Sequence, residues 1–277
     1  MATFDVIIIG GGPAAYVSAI RCSQLGLSTA VVERDKLGGV CVNIGCIPTK
    51  ALLYSAQMAR VIGHEARDLG IAIDNFTLDY GVAMKRSRRV ADQNSKGAEF
   101  LMKKNKITVL KGTGILLPGK KVKVGDDTHS ATKAVVIATG SRVKGIPQIG
   151  LEINKTSVIS SDEALFLEQA PKTLAVVGAG AVGCEFADIF NAFGSQVTLI
   201  EALPRILPVE DSDSSEVLAK SFKKRGIDVY AGAKVTKAEV GADGVKLHLE
   251  VGGETKIVEA EKVLMAAGRA VNTEGIG

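Results

Sequence analysis

Two cysteines, Cys41 and Cys46, lie five positions apart in the glycine-flanked stretch LGGVCVNIGCIPTK. A turn between them could bring their Cα atoms within the distance that a disulfide needs. The stretch also begins a predicted helix that continues to about residue 62, and a helix N-terminus lowers the pKa of a thiol, which favours thiolate chemistry. From the spacing alone, two buried structural cysteines explain the pattern equally well. No metal site is predicted, because the chain has three histidines, none of them near the pair, and no second cysteine pair.

Two glycine-rich turns could bind the phosphates of a nucleotide. GGGPAA begins at Gly10 and follows an apolar strand at residues 6–9, and GAGAVG begins at Gly178 and follows a strand at 174–177. The first glycine allows the tight bend, the second lets the backbone approach a pyrophosphate, and the third position must be small so that the helix packs on the strand. The helix that follows each turn offers free N–H groups and a partial positive charge. Cys22 and Cys184 fall in these helices and are predicted to be small core residues.

An acid ends the second predicted strand of each unit. A carboxylate at this place accepts hydrogen bonds from a ribose diol. Gly10 and Glu33 recur 168 positions later as Gly178 and Glu201, and the glycines that end the two helices share this offset. A constant offset across strand, turn, helix and acid predicts two Rossmann-like domains rather than two chance glycine clusters.

These elements define the expected architecture. VVIATG at 135–140 resembles VLMAAG at 263–268 with an offset of 128, so the first domain holds about 40 extra residues, which include the cysteine stretch. We predict an α/β protein of two Rossmann-like domains, residues 1–147 and 148–277, each a three-layer arrangement of parallel sheet and helices, with a small β-meander. The expected linker is 145–161, and helices are expected near 78–105 and 211–225.

The composition excludes several classes of protein. With 46% hydrophobic and 23% charged residues, the 277-residue chain is an ordinary globular protein. A net charge of +4, 4% aromatic residues and no tryptophan argue against a nucleic-acid partner. No apolar run reaches ~18 residues, so no membrane span is expected. The first strand begins close to Met1, which leaves no room for a signal peptide, and four cysteines do not make a secreted disulfide scaffold. We expect a cytoplasmic protein, or an organellar one if a presequence was removed.

The stretch GGVCVNIGCIPTK at 38–50 resembles the redox-active motif of the flavin-dependent disulfide reductases. This family includes dihydrolipoamide dehydrogenases, glutathione reductases and mercuric reductases. The two glycine turns, the Ala-Thr-Gly strand and GRAVNT at 268–273 follow in the family's order, so the resemblance covers the whole chain. It implies that the first domain binds FAD and the second a nicotinamide cofactor.

The resemblance also implies roles for individual residues. Cys46 would face the flavin, and Cys41 would be the interchange thiol that meets the substrate and forms a disulfide with Cys46. Lys50, one helical turn after Cys46, would point toward the flavin and pair with Glu185; otherwise the two are a surface lysine and an exposed helix residue. The residues expected at FAD are Gly10, Gly12, Pro13, Ala14, Ala15, Glu33, Arg34, Gly39, Val40, Cys41, Cys46, Lys50, Gly114, Ala138, Thr139 and Gly140. Those expected at the nicotinamide cofactor are Gly178, Gly180, Ala181, Val182, Gly183, Glu201, Ala202, Ala267 and Gly268.

Glu201 distinguishes between the branches of the family. Its carboxylate would repel a 2′-phosphate, and Arg205 is the one arginine nearby, so NAD is favoured over NADP. This favours the dihydrolipoamide dehydrogenases, in which electrons pass from dihydrolipoyl thiols to the cysteine disulfide, then to FAD and to NAD⁺. A glutathione- or mercuric-reductase-like enzyme and a non-catalytic FAD- and NAD-binding fragment remain the alternatives.

The partners implied by the resemblance are lipoamide and the lipoyl domains of 2-oxoacid dehydrogenase or glycine cleavage complexes. The family continues with a Gly-Asp motif that holds the flavin and a C-terminal dimerisation domain with a catalytic His–Glu pair. Neither is found here, and the contexts of His64, His129 and His248 do not match that histidine. We therefore expect these residues to be part of a longer, homodimeric enzyme.

Overall fold

The computed structural model describes residues 2–277, and its packing divides the chain into two units. One unit contains the residues up to Pro48 together with Arg88–Arg142 and Ala270–Gly277, and the other contains Thr49–Ser87 and Val143–Arg269. The predicted domains, an FAD-binding part at 1–147 and an NAD-binding part at 148–277, are defined by the nucleotide that each binds. That assignment stays a prediction. Among the described residues, no helix has both the length and the apolar character that a membrane crossing needs.

The first unit contains a six-stranded sheet in the order β3–β2–β1–β6–β5–β4. Its strands are β1 (Thr3–Ile9), β2 (Thr29–Glu33), β3 (Thr108–Lys111), β4 (Gly114–Leu117), β5 (Lys121–Val124) and β6 (Asp127–Ile137). Its helices are α1 (Pro13–Gln24) and α2 (Gly39–Ile44), and α3 (Cys46–Arg60) and α4 (Tyr80–Lys104) each extend into the second unit. The pairs β1–β2, β1–β6 and β2–β3 are parallel, whereas β4, β5 and β6 are antiparallel. The parallel part confirms the prediction of a Rossmann-like domain.

β1 is apolar from Val6 to Ile9 because both of its faces are covered there. Val6 and Ile8 pack with residues of α1 and α4 in one cluster, while Ile7 and Ile9 pack with residues of β2 and β5 in another. Successive side chains of a strand point to opposite faces, so a strand buried on both sides reads as a continuous apolar run.

The second unit contains a five-stranded parallel sheet in the order β11–β10–β9–β15–β8 and a three-stranded antiparallel meander. The strands of its sheet are β8 (Val158–Ser160), β9 (Thr173–Val177), β10 (Gln196–Glu201), β11 (Asp228–Ala231) and β15 (Lys262–Met265). The meander is β12 (Ala233–Val240), β13 (Val245–Val251) and β14 (Glu254–Ala260), and the helices are α5 (Ser161–Ala164), α6 (Ala181–Ala192) and α7 (Ser212–Lys224). Two short strands, β7 (Ser141–Val143) and β16 (Arg269–Val271), pair with each other.

The boundaries differ from the sequence predictions at two places. The predicted linker 145–161 includes β8, which forms the edge of the second sheet beside β15, so the end of that linker was wrong. A three-residue strand is too short to give an alternating pattern, which explains the error. The helix α3 ends at Arg60, and one π-helical turn, Val61–Glu65, follows it directly. The sequence predicted a single helix that continues to about residue 62. The helix predicted at 211–225 is α7, and Asp211 caps it by accepting from the N–H of Asp213 at 2.8 Å.

The two glycine turns have the same backbone geometry. Gly10 and Gly178 have φ angles of 115° and 100°, which favour glycine. A Cβ on Gly10 would lie 2.2 Å from the carbonyl oxygen of Ala138, and one on Gly178 would lie 2.6 Å from that of Ala266. The first turn therefore contacts the end of β6 and the second the end of β15. These are the two strands whose sequences, VVIATG and VLMAAG, resemble each other. The internal repeat predicted from the constant offset is confirmed in three dimensions.

Candidate functional site

The first glycine turn leaves a helix N-terminus open to an anion. Gly12 is the N-cap of α1, and no side chain of the described residues caps this end. Pro13 takes the first helical position, where a missing N–H costs nothing. Ala15 is fully buried at the place of the third glycine, which brings the helix close to β1. The turn thus has the amides and the small residues that a pyrophosphate site requires.

Glu33 lies beside this turn at the end of β2. Its Oε1 accepts a hydrogen bond from the N–H of Asp35 at 2.7 Å. A Cβ on Gly11 would lie 2.7 Å from its Oε2, so the carboxylate is packed against the turn. The adjoining cavity of about 100 Å³ is lined by Ile9, Gly10, Val32, Glu33, Arg34, Gly112, Thr113, Gly114, Thr139, Asn272, Glu274, Gly275 and Ile276. Five of these were predicted as FAD contacts, and the structure brings them together.

Among the lining residues that were not predicted from the sequence are Asn272, Glu274, Gly275 and Ile276, near the end of the chain. Thr139 donates its hydroxyl to the carbonyl of Asn272 at 2.6 Å, and Asn272 donates through Nδ2 to the carbonyl of Thr139 at 3.1 Å. Arg142 donates to Asn272 Oδ1 at 3.0 Å and forms an ion pair with Glu274 at 2.9 Å. The hydrogen bond from Arg142 lowers the pKa of Glu274 to about 2. The GRAVNT motif was the available signal, but its asparagine and the acid after it had no assigned role.

The cysteine stretch lies on the first glycine turn. Gly39 begins α2 with a φ of 57°, and a Cβ on it would lie 2.6 Å from the Cα of Gly12. Only a glycine permits this approach, because any side chain would displace the turn. The stretch is therefore built to sit against the predicted pyrophosphate site.

The two cysteines lie on either side of a break between α2 and α3. Cys41 is in the first turn of α2 and is half-buried, and Cys46 is the first residue of α3 and is exposed. A Cβ on Gly45, between the helices, would lie 3.3 Å from the Cα of Cys41, so the chain folds back on itself there. Cys46 is a free thiol in this structure, and the disulfide with Cys41 stays a prediction.

Of the other two cysteines, Cys184 is a core residue, as expected, whereas Cys22 is only partly buried. Cys22 is half-buried and packs against the cluster around α1, and Cys184 is buried in α6. Burial raises the pKa of the Cys184 thiol to about 12. Its sulfur donates to the carbonyl of Ala179 at 3.4 Å.

Two ion pairs join α3 to α6 within the second unit. Lys50 Nζ pairs with Glu185 Oε1, with 62% and 24% of the side chains exposed. Arg60, nearly three helical turns further along α3, pairs with Asp188 at 2.8 Å. Arg225 pairs with the same oxygen of Asp188. Lys50 is thus held by a carboxylate one turn after Cys46 in the same helix. Its role toward a flavin stays a prediction.

The second glycine turn repeats the features of the first. Gly180 is the N-cap of α6, and no side chain of the described chain caps it. A Cβ on Gly183 would lie 1.9 Å from the carbonyl oxygen of Gly178, so the third position must be glycine here. Ala181 and Val182 form the first turn of α6, Ala267 follows the strand end that contacts Gly178, and Ala202 follows Glu201.

Glu201 is held by two backbone amides. Its Oε2 accepts from Ala179 at 2.8 Å and its Oε1 from Leu203 at 2.9 Å. Arg205 donates instead to the carbonyls of Pro208 at 3.3 Å and Glu210 at 3.1 Å. The nearby arginine is therefore engaged by its own loop.

The histidines lie outside these clusters. His129 is buried in β6, His64 is in the π-helical turn, and His248 in β13 is 3.3 Å from Glu239. Among the described residues, no group of three or more His, Cys, Asp or Glu side chains is arranged to hold a metal ion.

Comparisons with known proteins agree with this geometry. The sequence profile of the family described as pyridine nucleotide-disulphide oxidoreductase matches residues 4–277. The chain is 43% identical over 292 residues to a dihydrolipoyl dehydrogenase of Bacillus subtilis, covering 100% of this chain and 61% of the relative. It is 42% identical over 282 residues to that of Mycobacterium tuberculosis, covering 100% of this chain and 60% of the relative. The chain thus spans about 60% of the length of these relatives.

Solved structures share the fold. The crystal structure of LpdA from Mycobacterium tuberculosis has a TM-score of 0.86 at 25% identity, with 100% of this chain and 61% of that chain covered. The HOCl-induced flavoprotein disulfide reductase RclA from Escherichia coli, as a Cu(II) complex, has a TM-score of 0.80 at 26% identity, with 100% and 59% covered. With its two glycine turns, its paired acids and the cysteine stretch on the first turn, this chain belongs to the pyridine nucleotide-disulphide oxidoreductase family.

Proposed function

We propose that this chain is the FAD- and NAD-binding part of a dihydrolipoyl dehydrogenase. The observation that carries the proposal is the contact of Gly39 with Gly12, which seats the stretch of Cys41 and Cys46 on a nucleotide-binding turn. The relatives named dihydrolipoyl dehydrogenase, at 42% and 43% identity over the whole chain, support the substrate class.

The first unit has the features that FAD requires. The open end of α1 takes the pyrophosphate, and Glu33 accepts from the adenosine ribose in the adjoining cavity. Thr139, fixed by its two hydrogen bonds with Asn272, lines the same cavity. When bound, FAD accepts an electron pair from a dithiol and supplies it to a nicotinamide as hydride.

The cysteine pair exchanges electrons with the substrate by thiol–disulfide exchange. One substrate thiolate attacks the sulfur of Cys41, a mixed disulfide forms, the Cys41–Cys46 bond breaks and Cys46 leaves as a thiolate. The second substrate thiol gives its proton to solvent and attacks the substrate sulfur of the mixed disulfide. Cys41 is released as a thiol or thiolate, and the substrate becomes a cyclic disulfide. Two electrons then reside on the cysteine pair.

Lys50 points toward the flavin. It lies one turn after Cys46 in α3, and the carboxylate of Glu185 restrains its ammonium group. We assign Glu185 to this restraint and Lys50 to the flavin side of the cysteine pair.

The second turn selects NAD. Two backbone N–H groups fix the orientation of the Glu201 carboxylate. In this orientation it accepts hydrogen bonds from the ribose diol of NAD. Arg205 is bound to the carbonyls of its own loop, so it does not stand ready for a 2′-phosphate.

The partners follow from the substrate class. The full-length enzyme takes lipoamide or the lipoyl domains of 2-oxoacid dehydrogenase or glycine cleavage complexes, acts as a homodimer and functions in the cytoplasm, without nucleic acid or membrane. The name of the two bacterial relatives, dihydrolipoyl dehydrogenase, supports the lipoyl substrate.

The test has a binding readout and a thiol readout. The chain is incubated with FAD, desalted, and expected to retain about one FAD per chain, in contrast to a Gly12→Leu variant. It is then treated under argon with dihydrolipoamide, or with glutathione and NADPH, and the newly reduced cysteines are counted by alkylation and mass spectrometry. Dihydrolipoamide should reduce the Cys41–Cys46 pair, whereas Cys41→Ser and Cys46→Ser should show no change, with Cys22→Ser as the matched control.

Two outcomes would contradict the proposal. Reduction by glutathione and NADPH, with none by dihydrolipoamide, would favour a glutathione-reductase-like enzyme. Retention of FAD without any reduction of the cysteine pair would identify a nucleotide-binding module that does not exchange thiols.

A further inference from the structure

The helix that carries Cys41, α2, is held by a side chain to which the proposed mechanism gives no role. Asn43, between the two cysteines, donates through Nδ2 to the carbonyls of Leu37 at 3.1 Å and Gly39 at 3.0 Å. Its Oδ1 is buried and accepts no hydrogen bond from the described residues. The asparagine thus ties the last turn of α2 to the loop that precedes it.

Two side chains of α4 complete this attachment. Ser95 is buried and donates its hydroxyl to the same Leu37 carbonyl at 2.8 Å. Arg88 donates through Nη2 to the main-chain carbonyl of Asn43. The two residues are seven positions apart, or two helical turns, so they face the same side of α4.

Arg88 differs from Ser95 because it brings a positive charge. The carbonyl of Asn43 is in the last turn of α2, at the negative end of that helix and three residues before Cys46. Burial lowers the pKa of Arg88, and the charge of Asp92 raises it. Asp92 also lies 3.6 Å from Lys36, so this one carboxylate is shared between two cations.

We propose that Arg88 is a positioning residue for the cysteine pair, and that its charge at the end of α2 sets the balance between dithiol and disulfide. The inference rests on the redox role proposed for Cys41 and Cys46. A nearby cation stabilises the thiolate-bearing, reduced form over the neutral disulfide, and so it raises the reduction potential of the pair. Asn43 connects Arg88 to the start of α2. Its carbonyl accepts a hydrogen bond from Arg88, and its side chain donates to the carbonyls of Leu37 and Gly39.

The test is an equilibrium with dithiothreitol that needs neither FAD nor turnover. The protein is mixed with reduced and oxidised dithiothreitol in varied ratios, quenched with acid and alkylated. In this exchange the two cysteine thiols lose two electrons and two protons and form an S–S bond, while the ring disulfide of oxidised dithiothreitol gains them and opens to two thiols. Mass spectrometry of the peptide that contains both cysteines gives the equilibrium constant.

Arg88→Met should shift the equilibrium toward the disulfide about fivefold, which corresponds to about 20 mV. Arg88→Lys, which keeps the charge, and Ser95→Ala, which removes only a neutral donor from the same helix face, should stay within about twofold of the wild type. Asp92→Asn, which removes the carboxylate near Arg88, should shift the equilibrium the opposite way. This last variant tests the charge even where Arg88→Met folds poorly.

Unchanged equilibria in Arg88→Met and Asp92→Asn would overturn the inference while leaving the redox role of the pair intact. A shift in Ser95→Ala as large as that in Arg88→Met would also overturn it, because loop packing rather than charge would then set the equilibrium. Failure of the wild type to form any disulfide would overturn the proposed redox role itself.

Discussion

Glu201 accepts a hydrogen bond from the backbone N–H of Ala179, 2.8 Å away inside the second glycine turn. Its other oxygen accepts from Leu203, two residues along the chain, as Glu33 accepts from Asp35 in the first repeat. The two hydrogen bonds fix the orientation of the Glu201 carboxylate in the absence of a nucleotide. The carboxylate is therefore preorganised to bind a ribose.

Cofactor choice follows from this fixed charge. A unit pair of like charges ~4 Å apart repels by about 4 kcal/mol at an effective dielectric of ~20, and solvent reduces this to ~2 kcal/mol, or about thirtyfold in affinity. We expect NADH to bind about thirtyfold more tightly than NADPH. Glu201→Arg should weaken NADH and strengthen NADPH, as measured by the dissociation constants of both.

Glu33→Gln is the matched control, because it changes the equivalent acid of the other turn. It should leave the affinity for NADH unchanged. Equal affinity of the wild type for NADPH and NADH would contradict the NAD assignment and favour the glutathione-reductase-like alternative.

The four cysteines should differ sharply in reactivity. In the reduced protein at pH 8, iodoacetamide should modify exposed Cys46 readily and leave Cys184 unmodified, because burial raises the pKa of Cys184 to about 12 and its thiol stays protonated. After mild oxidation, mass mapping should show a Cys41–Cys46 disulfide, with Cys22 and Cys184 still thiols. Both motif cysteines remaining reduced after oxidation, with Cα atoms more than ~7 Å apart in a crystal structure, would rule the pair out.

Asp188 should be important for stability because one carboxylate serves two arginines. Its side chain is 13% exposed, and Arg60 and Arg225 both bind its Oδ1. Asp188→Ala leaves two partly buried cations without their counter-charge, and we expect a loss of about 3 kcal/mol in the free energy of unfolding. Urea denaturation measures this, with Glu216→Gln as the control.

Glu216 pairs with Lys220 on the exposed surface of α7, so its replacement should leave the urea midpoint unchanged. A midpoint for Asp188→Ala equal to that of the wild type would show that the arginines find other partners.

Tyr80 should make the protein sensitive to alkaline pH. Its hydroxyl donates to the carbonyl of Ala164 at 2.9 Å, and burial raises its pKa well above the ordinary value. A raised pKa in the folded state means that this stabilisation is complete below pH ~10, the pKa in the unfolded chain, and is lost as the pH rises further. Tyr80→Phe should lower stability by about 1 kcal/mol at pH 8 but lose less stability between pH 9 and 11.

Denaturant titrations at pH 8 and pH 11 measure this difference. Tyr54→Phe, at a tyrosine that is 55% exposed, should keep the wild-type slope with pH. Parallel slopes for the wild type and Tyr80→Phe would mean that Tyr80 does not govern the alkaline response.

The repeated turns could be predicted because their residues are dictated by backbone sterics. Gly10, Gly178 and Gly183 would each place a Cβ within 2.6 Å of a carbonyl oxygen, so the sequence has no freedom there. The same holds for the cysteine stretch, where Gly39 must approach Gly12. Strong local constraints of this kind leave a readable pattern.

Other features left no such pattern. β8 is three residues long, and its place in the sheet depends on pairing with β15, which lies a hundred positions later. The hydrogen bonds from Arg88 to Asn43 and from Asn272 to Thr139 also join distant parts of the chain. Arginine and asparagine are common on protein surfaces, so neither residue type indicates such a contact in the sequence. Contacts between distant segments cannot be deduced from spacing along the chain.

The third residues of the two glycine turns, Gly12 and Gly180, differ in what lies over them. A Cβ on Gly12 would have the Cα of Gly39 at 3.8 Å, whereas one on Gly180 would have no described heavy atom within 4 Å beyond its chain neighbours and helix backbone. We expect a nucleotide at the first turn to dissociate more slowly than one at the second, because the cysteine stretch lies against Gly12 and no described atom lies against Gly180 in the same way. On this basis the same motif, used twice, would give two residence times: a long one for FAD and a short one for NAD, which must be replaced in each turnover.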